Sequence, residues 1–281
     1  LLQPKLPSRL GFEGAGSVLA VGEEVSDLRV GDRVAITPNF DFNEYGVLAE
    51  KANVPAAALL PIPDNVDFVT AAAFWMAFGT ALGMMSVAGG LKRNRNQIVF
   101  LNGASSSVGT AAFQIIREYG GLSIASTRSH SKASELRNMG ADHVLVTEAN
   151  DWGTQLLDVT DGVGFDIGCD CVGGAMQAEM ARVAAPHATI VQYGRLSGED
   201  APVPTTEMFM KGLRLTGFHL TAQVLAVPDQ KPLIDELMLD LRRGRYASVV
   251  SRTFPFDRVT DAYAYMASNK QIGKIVVDFS S

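Results

Sequence analysis

The chain has 281 residues, enough for two ordinary domains or one large one. Hydrophobic residues make up 47% and charged residues 19%, which supplies a sizeable core and excludes intrinsic disorder. With 30 acidic residues against 24 basic ones the formal net charge is −6, so nucleic acid is a poor main partner. The cation cluster Lys92-Arg93-Asn94-Arg95 is short and reads as a solvated loop. Two cysteines, Cys169 and Cys171, cannot make a disulfide framework, and without a C-x-x-C pair they exclude a thiolate zinc site. No apolar run approaches the roughly 18 residues of a membrane span. The opening Leu1–Pro7 lacks a basic region ahead of an apolar stretch and is not expected to be a signal peptide. It also lacks an initiator Met, so the chain need not be a whole gene product. A reducing, cytoplasmic setting is expected.

The first 65 or so residues carry Gly11, Gly14, Gly16, Gly22, Gly31 and Gly46 between short Val-rich segments. Strands are expected at Ser17–Val21 and Arg33–Ile36, joined by tight turns. From Gln97 the pattern changes to alternating strands and helices. Strands are expected at Ile98–Leu101, Leu122–Thr127, His143–Val146, Phe165–Cys171, Ala188–Tyr193 and Leu213–Phe218. Helices are expected between them at Val108–Tyr119, Lys132–Met139, Trp152–Val159 and Gln177–Ala184. That alternation implies right-handed crossovers and a doubly wound parallel sheet. The β-rich character returns at Val249–Phe254 and Lys274–Phe279, flanking a helix at Val259–Ser268. The fold class is therefore α/β, a doubly wound domain inserted into a β-rich one. The expected bounds are 1–74 for the first part of the β-rich domain, 75–222 for the insertion and 223–281 for the return.

The turn after the first parallel strand is Asn102-Gly103-Ala104-Ser105-Ser106-Ser107-Val108-Gly109. Small residues there let backbone N–H groups and a helix N-terminus approach a pyrophosphate. Ala104, Ser106 and Gly109 hold the three glycine positions of G-x-G-x-x-G, so the fingerprint is degenerate, and tight packing is the alternative. The serine hydroxyls of Ser105, Ser106 and Ser107 are small enough to keep the approach open and to donate to phosphate. An NAD site places Asp or Glu at the end of the second strand, on the ribose 2′-OH. Here that end is Thr127-Arg128-Ser129-His130-Ser131-Lys132, with no acid between Ser123 and Ser134. Arg128 and Lys132 can neutralise a 2′-phosphate, which favours NADPH over NADH; a solvated cationic turn is the alternative.

Gly11-Phe12-Glu13-Gly14-Ala15-Gly16 and Val30-Gly31-Asp32-Arg33-Val34 resemble the N-terminal module of the medium-chain dehydrogenase/reductase superfamily. Ala104–Gly109, Gly140-Ala141-Asp142-His143-Val144, Asp166–Gly174 and Gly273-Lys274-Ile275-Val276 resemble its later landmarks, in order. The chain is most similar to the zinc-independent quinone oxidoreductase and enoyl reductase branch. That resemblance implies a Rossmann domain inserted in a GroES-like domain, with roughly the first 50 residues of a full-length member absent. It also implies that Thr80, Tyr193, Gly194 and Phe218 lie beside a nicotinamide. In zinc-dependent relatives a His of the Gly-His-Glu motif and a later Cys are metal ligands. Phe12 and Met76 stand at those positions, and neither can replace an imidazole or a thiolate, so no zinc is expected.

Without a Lewis acid, a conjugated enone, an enoyl thioester or a quinone is the fitting acceptor, because charge delocalises onto an oxygen that a hydroxyl can protonate. Tyr45 and His219 are the candidate proton donors. Each has a plain alternative, as a tyrosine of the β-rich module and a strand-end histidine. Trp75 and Met76 read as pocket wall or core. The expected activity is an NADPH-dependent quinone or enone oxidoreductase; a non-catalytic NADPH-binding protein on the same fold, like the lens crystallins of this superfamily, is the alternative. The strand Leu213–Phe218 would be a sheet edge without a blocking Pro, so a homodimer joined through it is expected. An edge covered by Pro202–Lys211 in a monomer is the alternative.

Overall fold

The computed structural model describes residues 6–147 and 151–280. Most of the Leu1–Pro7 stretch therefore lies outside the described residues. The chain divides into two compact units, one of residues up to Gly79 together with Thr221 onward, the other Thr80–Leu220.

In the first unit, β1 (Gly14–Ser17), β2 (Arg33–Ile36) and β3 (Leu59–Pro61) form an antiparallel sheet in that order. The strand expected at Ser17–Val21 is displaced. Gly14–Ser17 pairs with Arg33–Ile36, while Leu19 and Val21 stay exposed beyond the pairing, so the apolar run did not mark the buried segment. Helix α1 (Phe68–Ala72) is capped by Asp67, whose carboxylate accepts from Thr70 N at 2.7 Å. These backbone donors hold the Asp67 carboxyl below its ordinary value. Helix α2 (Trp75–Gly83) follows, and the chain passes into the second unit within it.

The second unit contains β4 (Ile98–Leu101), α3 (Ser107–Glu118), β5 (Leu122–Thr127), α4 (His130–Asn138) and β6 (His143–Val146). It continues with α5 (Trp152–Val159), β7 (Phe165–Asp170), α6 (Ala175–Val183), β8 (Ala184–Gln192), α7 (Thr205–Lys211) and β9 (Arg214–Gly217). All six strands run parallel in the order β6-β5-β4-β7-β8-β9. The chain thus winds outward from β4 in one direction and returns to start again at β7 on its other side. The carboxyl ends of β4 and β7 flank the switch point where such sheets open a crevice.

Two boundaries differ from expectation for local reasons. Strand β7 stops at Asp170, not Cys171, because the Asp170 carboxylate accepts the N–H groups of Val172 and Gly173 and turns the chain. Strand β8 begins already at Ala184, and its register shifts before Thr189. There Pro186 has no N–H to give and His187 takes a positive φ of 64°.

The first unit closes with α8 (Lys231–Arg242), β10 (Val250–Pro255), α9 (Val259–Ala267) and β11 (Lys274–Asp278). The two strands pair in parallel. Its core stacks Phe74 on Phe78 and Phe78 on Tyr246, with centroids 4.5 and 5.2 Å apart. In the second unit Phe100, fully buried on central β4, stacks on Trp152 at 5.3 Å and Phe165 at 5.6 Å. Phe100→Ala should cost about 3–5 kcal/mol, since three elements meet on that ring and cannot collapse into the hole. Urea unfolding monitored by far-ultraviolet circular dichroism checks it; a loss below about 1 kcal/mol would mean that the stack is not central to the core.

Candidate functional site

Helix α3 starts where the chain leaves β4, and its first turn presents N–H groups and the positive end of the helix dipole. Ser106 is its N-cap, the hydroxyl oxygen accepting from Gly109 N at 3.1 Å. A side chain on Gly109 would overlap the Ala104 carbonyl, so helix and turn meet with no space between them. Gly103 has φ of +71°, and a Cβ there would stand 2.5 Å from Cys171 Sγ. Buried Ala104 donates its N–H to Ser126 O at 3.1 Å. The resulting cradle has the bare backbone and small rim that a pyrophosphate needs.

Beside it, Lys132 Nζ donates to Ser105 Oγ at 3.3 Å, tying α4 to the turn. Burial, and then the neighbouring Arg128 guanidinium, lower the Lys132 ammonium from its ordinary value, partly offset by Glu135. Arg128 is exposed, and Thr127 is buried with its Oγ1 accepting from Ser129 N at 3.2 Å. Ser105, Arg128 and Lys132 are therefore brought together. Two cations held side by side repel each other, and an anion placed between them relieves that repulsion. Ser107 and half-buried Val108 form the first turn of α3.

On the other side of the switch point, the Tyr193 phenol neighbours the Cys171 thiol and the Ser106 hydroxyl. Burial first, and then the two thiols, raise it well above the usual tyrosine range. Ser106 Oγ is engaged as the α3 cap and Ser105 Oγ by Lys132, and both accept in those bonds. Burial pushes the Cys171 thiol up to about 11 and Cys169 higher still, so neither is a thiolate nucleophile. Gly194 packs on Cys171, where a Cβ would stand 2.8 Å from its carbonyl oxygen. Buried Phe218 donates its N–H to Gln192 O at 2.9 Å, and His219 is exposed immediately after it. Thr80 is buried in α2.

A further cluster escaped the sequence. Asn102, Ser126 and Asp170 are buried and hydrogen-bonded to one another across three strand ends. The available signal was Asp170 itself, a lone charge in the apolar run Ile167–Cys171.

In the first unit, Glu13 forms an ion pair with Lys274 and accepts from Met76 N at 3.3 Å. The fold thus brings the Phe12-Glu13 and Met76 positions next to each other. Among the described residues, no group of three or more His, Cys, Asp or Glu side chains could hold a metal ion. Phe12 instead packs edge-on against Phe42 at 5.7 Å, and Phe40 against Tyr45 at 6.1 Å. The 40–45 loop turns on Asp41, whose carbonyl accepts from Glu44 N and Tyr45 N. Tyr45 is half-buried, and its hydroxyl has no hydrogen-bond partner among the described residues. Trp75 is buried with its indole N–H unpaired among those residues.

Comparison with known proteins agrees with this arrangement. Residues 2–64 match the family model described as alcohol dehydrogenase GroES-like domain, and residues 107–237 that described as zinc-binding dehydrogenase. The synaptic vesicle membrane protein VAT-1 homolog of Rattus norvegicus is 28% identical over 98% of this chain and 70% of its own length. A quinone oxidoreductase of Pseudomonas aeruginosa is 28% identical over 98% of this chain and 83% of its own. The structure of a quinone oxidoreductase from Pseudomonas syringae superposes with a TM-score of 0.87 at 26% identity, covering 99% of this chain and 84% of that one. No helix of the described residues is long and apolar enough to cross a membrane. With the six-stranded switch-point sheet and the GroES-like module, and with the two family models together matching most of its length, the chain belongs to the medium-chain dehydrogenase/reductase superfamily of oxidoreductases and is similar to its quinone oxidoreductases.

Proposed function

We propose that the protein is an NADPH-dependent oxidoreductase that reduces a quinone or an α,β-unsaturated carbonyl, either an enone or an enoyl thioester. The observation that carries the coenzyme choice is the Ser105–Lys132–Arg128 cluster just past the carboxyl end of β5, where no acid stands between Ser123 and Ser134 and Glu135 only partly offsets the two cations. When bound, NADPH supplies the hydride. The backbone of Ala104–Gly109 and the α3 N-terminus receive the pyrophosphate, helped by the Ser105 and Ser107 hydroxyls. Arg128 and Lys132 take the 2′-phosphate, and Thr127 closes the adenosine side. Thr80, Tyr193, Gly194 and Phe218 border the nicotinamide. Tyr45, whose phenol is uncommitted, holds the acceptor oxygen and gives it a proton; His219 is the second candidate for that proton. The two free, buried cysteines suit a reducing compartment such as the cytoplasm.

We also propose a homodimer joined through β9. This strand lies at the edge of the sheet, and the neighbouring α7 leaves Phe209 86% and Met210 73% exposed. Sedimentation velocity at micromolar concentration should give twice the chain mass, and a monomer there refutes the edge pairing.

Mixing the protein with NADPH and a panel of quinones, enones and enoyl thioesters should give acceptor-dependent loss of NADPH absorbance. Binding of NADPH without turnover of any acceptor would instead make it a non-catalytic dinucleotide-binding protein. Tyr45→Phe should lower kcat about a hundredfold or more with NADPH affinity unchanged. An unaltered kcat transfers the proton role to His219 or to water.

Arg128→Ala should weaken NADPH binding about ten- to hundredfold and leave NADH binding nearly unaltered, because one charge-assisted contact is worth about 1.5–3 kcal/mol. Calorimetric titration with both coenzymes reads this directly. Equal losses for the two would mean that Arg128 does not touch the 2′-phosphate.

A further inference from the structure

One oxygen of Asp170 gathers three donors. Its Oδ1 accepts from Val172 N at 2.9 Å, Gly173 N at 3.1 Å and Asn102 Nδ2 at 2.8 Å. The other oxygen, Oδ2, is buried without a partner among the described residues. Asn102 in turn accepts, through Oδ1, from Ser126 Oγ at 3.2 Å. The three side chains are 4%, 1% and 0% exposed for Asn102, Ser126 and Asp170. They sit at the carboxyl ends of three adjacent strands, β5, β4 and β7. Backbone bonds run alongside them. Asn102 N donates to Cys169 O at 2.9 Å, Ala104 N to Ser126 O at 3.1 Å, and the Cys171 thiol to Asn102 O at 3.2 Å.

We infer that Asn102 is a positioning residue that couples the two turns flanking the cofactor crevice. The phosphate turn 103–109 begins on Asn102, and the turn 171–174 begins on Asp170. Among the described residues, the Asn102 amide is the one side chain bonded to both neighbouring strand ends. A displacement of the phosphate turn therefore reaches the Val172 and Gly173 amides through Asn102 Nδ2 and Asp170 Oδ1. All three side chains are buried from bulk solvent, so a lost bond leaves a buried polar group to be satisfied by rearrangement. Filling the adenosine and phosphate end of the crevice thus orders the turn on its far side. This rests on the coenzyme reading above and adds a role for residues outside the coenzyme-contacting set.

Adenosine 2′,5′-bisphosphate separates the two ends, because it carries the phosphates without a nicotinamide. Hydrogen exchange of the whole protein with this probe should slow at the amides of 103–109 and also at those of 171–174. In Asn102→Ala the slowing at 103–109 should persist, and that at 171–174 should be lost. Affinity for NADPH should fall about tenfold, the loss of a coupling of about 1.4 kcal/mol between the two turns. Ser126→Ala, a smaller change that frees only the Asn102 carbonyl, should show a partial loss of the same effect and covers the case in which Asn102→Ala does not fold. Slowing at 171–174 that survives both variants overturns the coupling. So does slowing confined to 103–109 in the parent protein. A parent that binds neither the bisphosphate nor NADPH would defeat the coenzyme reading itself, and the coupling would fall with it. A parent that binds both and fails only at 171–174 defeats the coupling alone.

Discussion

The contact between Gly109 and the Ala104 carbonyl is the constraint on which the second unit depends. A helix can start that close to the end of a central strand only if its third residue has no side chain. Everything around the turn is arranged to hold that approach. Ser106 satisfies the Gly109 N–H, Ser126 receives the Ala104 N–H, and Gly103 gives up a side chain to the Cys171 sulfur. The cost is a chain bent tightly with little apolar area of its own, and the aromatic stack on Phe100 beneath the sheet offsets it.

Charge has been redistributed at both of the places where chemistry is expected. At the end of β5, cations stand where a dinucleotide site for the unphosphorylated coenzyme would place an acid. In the first unit, the Glu13 carboxylate is neutralised by Lys274 and by a backbone N–H, in a neighbourhood whose other landmarks are Phe12 and Met76. An ion pair of this kind holds its segments together as a metal would, with no vacant coordination position to offer a substrate.

Much of this was legible in the residues. Ile98–Leu101, Leu122–Thr127 and His143–Val146 are short apolar runs closed by turn residues, and each is a strand with those limits. Burial on both faces made their pattern continuous and their ends sharp. Segment 14–21 failed for the opposite reason. Its strand is Gly-rich and half-exposed, so pairing with β2, not hydrophobicity, fixed its position. Strand β3 and helices α1, α2, α7 and α8 went unnoticed; β3, α1 and α7 are short, and α7 buries no residue at all. The small-residue turn after β4 and the cations after β5 were visible as residue types in sequence. The Asn102–Asp170 bond was not, since it joins positions 68 apart whose proximity exists only once β4 and β7 pair.

The first unit is built from two stretches of chain separated by the whole of the second. Glu13 meets Lys274 across 261 positions, and Ser248 meets Thr70 across 178. The second unit, by contrast, is one uninterrupted segment whose strands pair with near neighbours in sequence, except where β7 returns to β4. During synthesis on the ribosome the inserted unit can therefore complete its sheet while the first unit still lacks α8, β10, α9 and β11. Until then the nascent first unit lacks Lys274, the ion-pair partner of Glu13, and Ser248, the partner of Thr70. The first unit is therefore the part of the molecule whose folding is completed last.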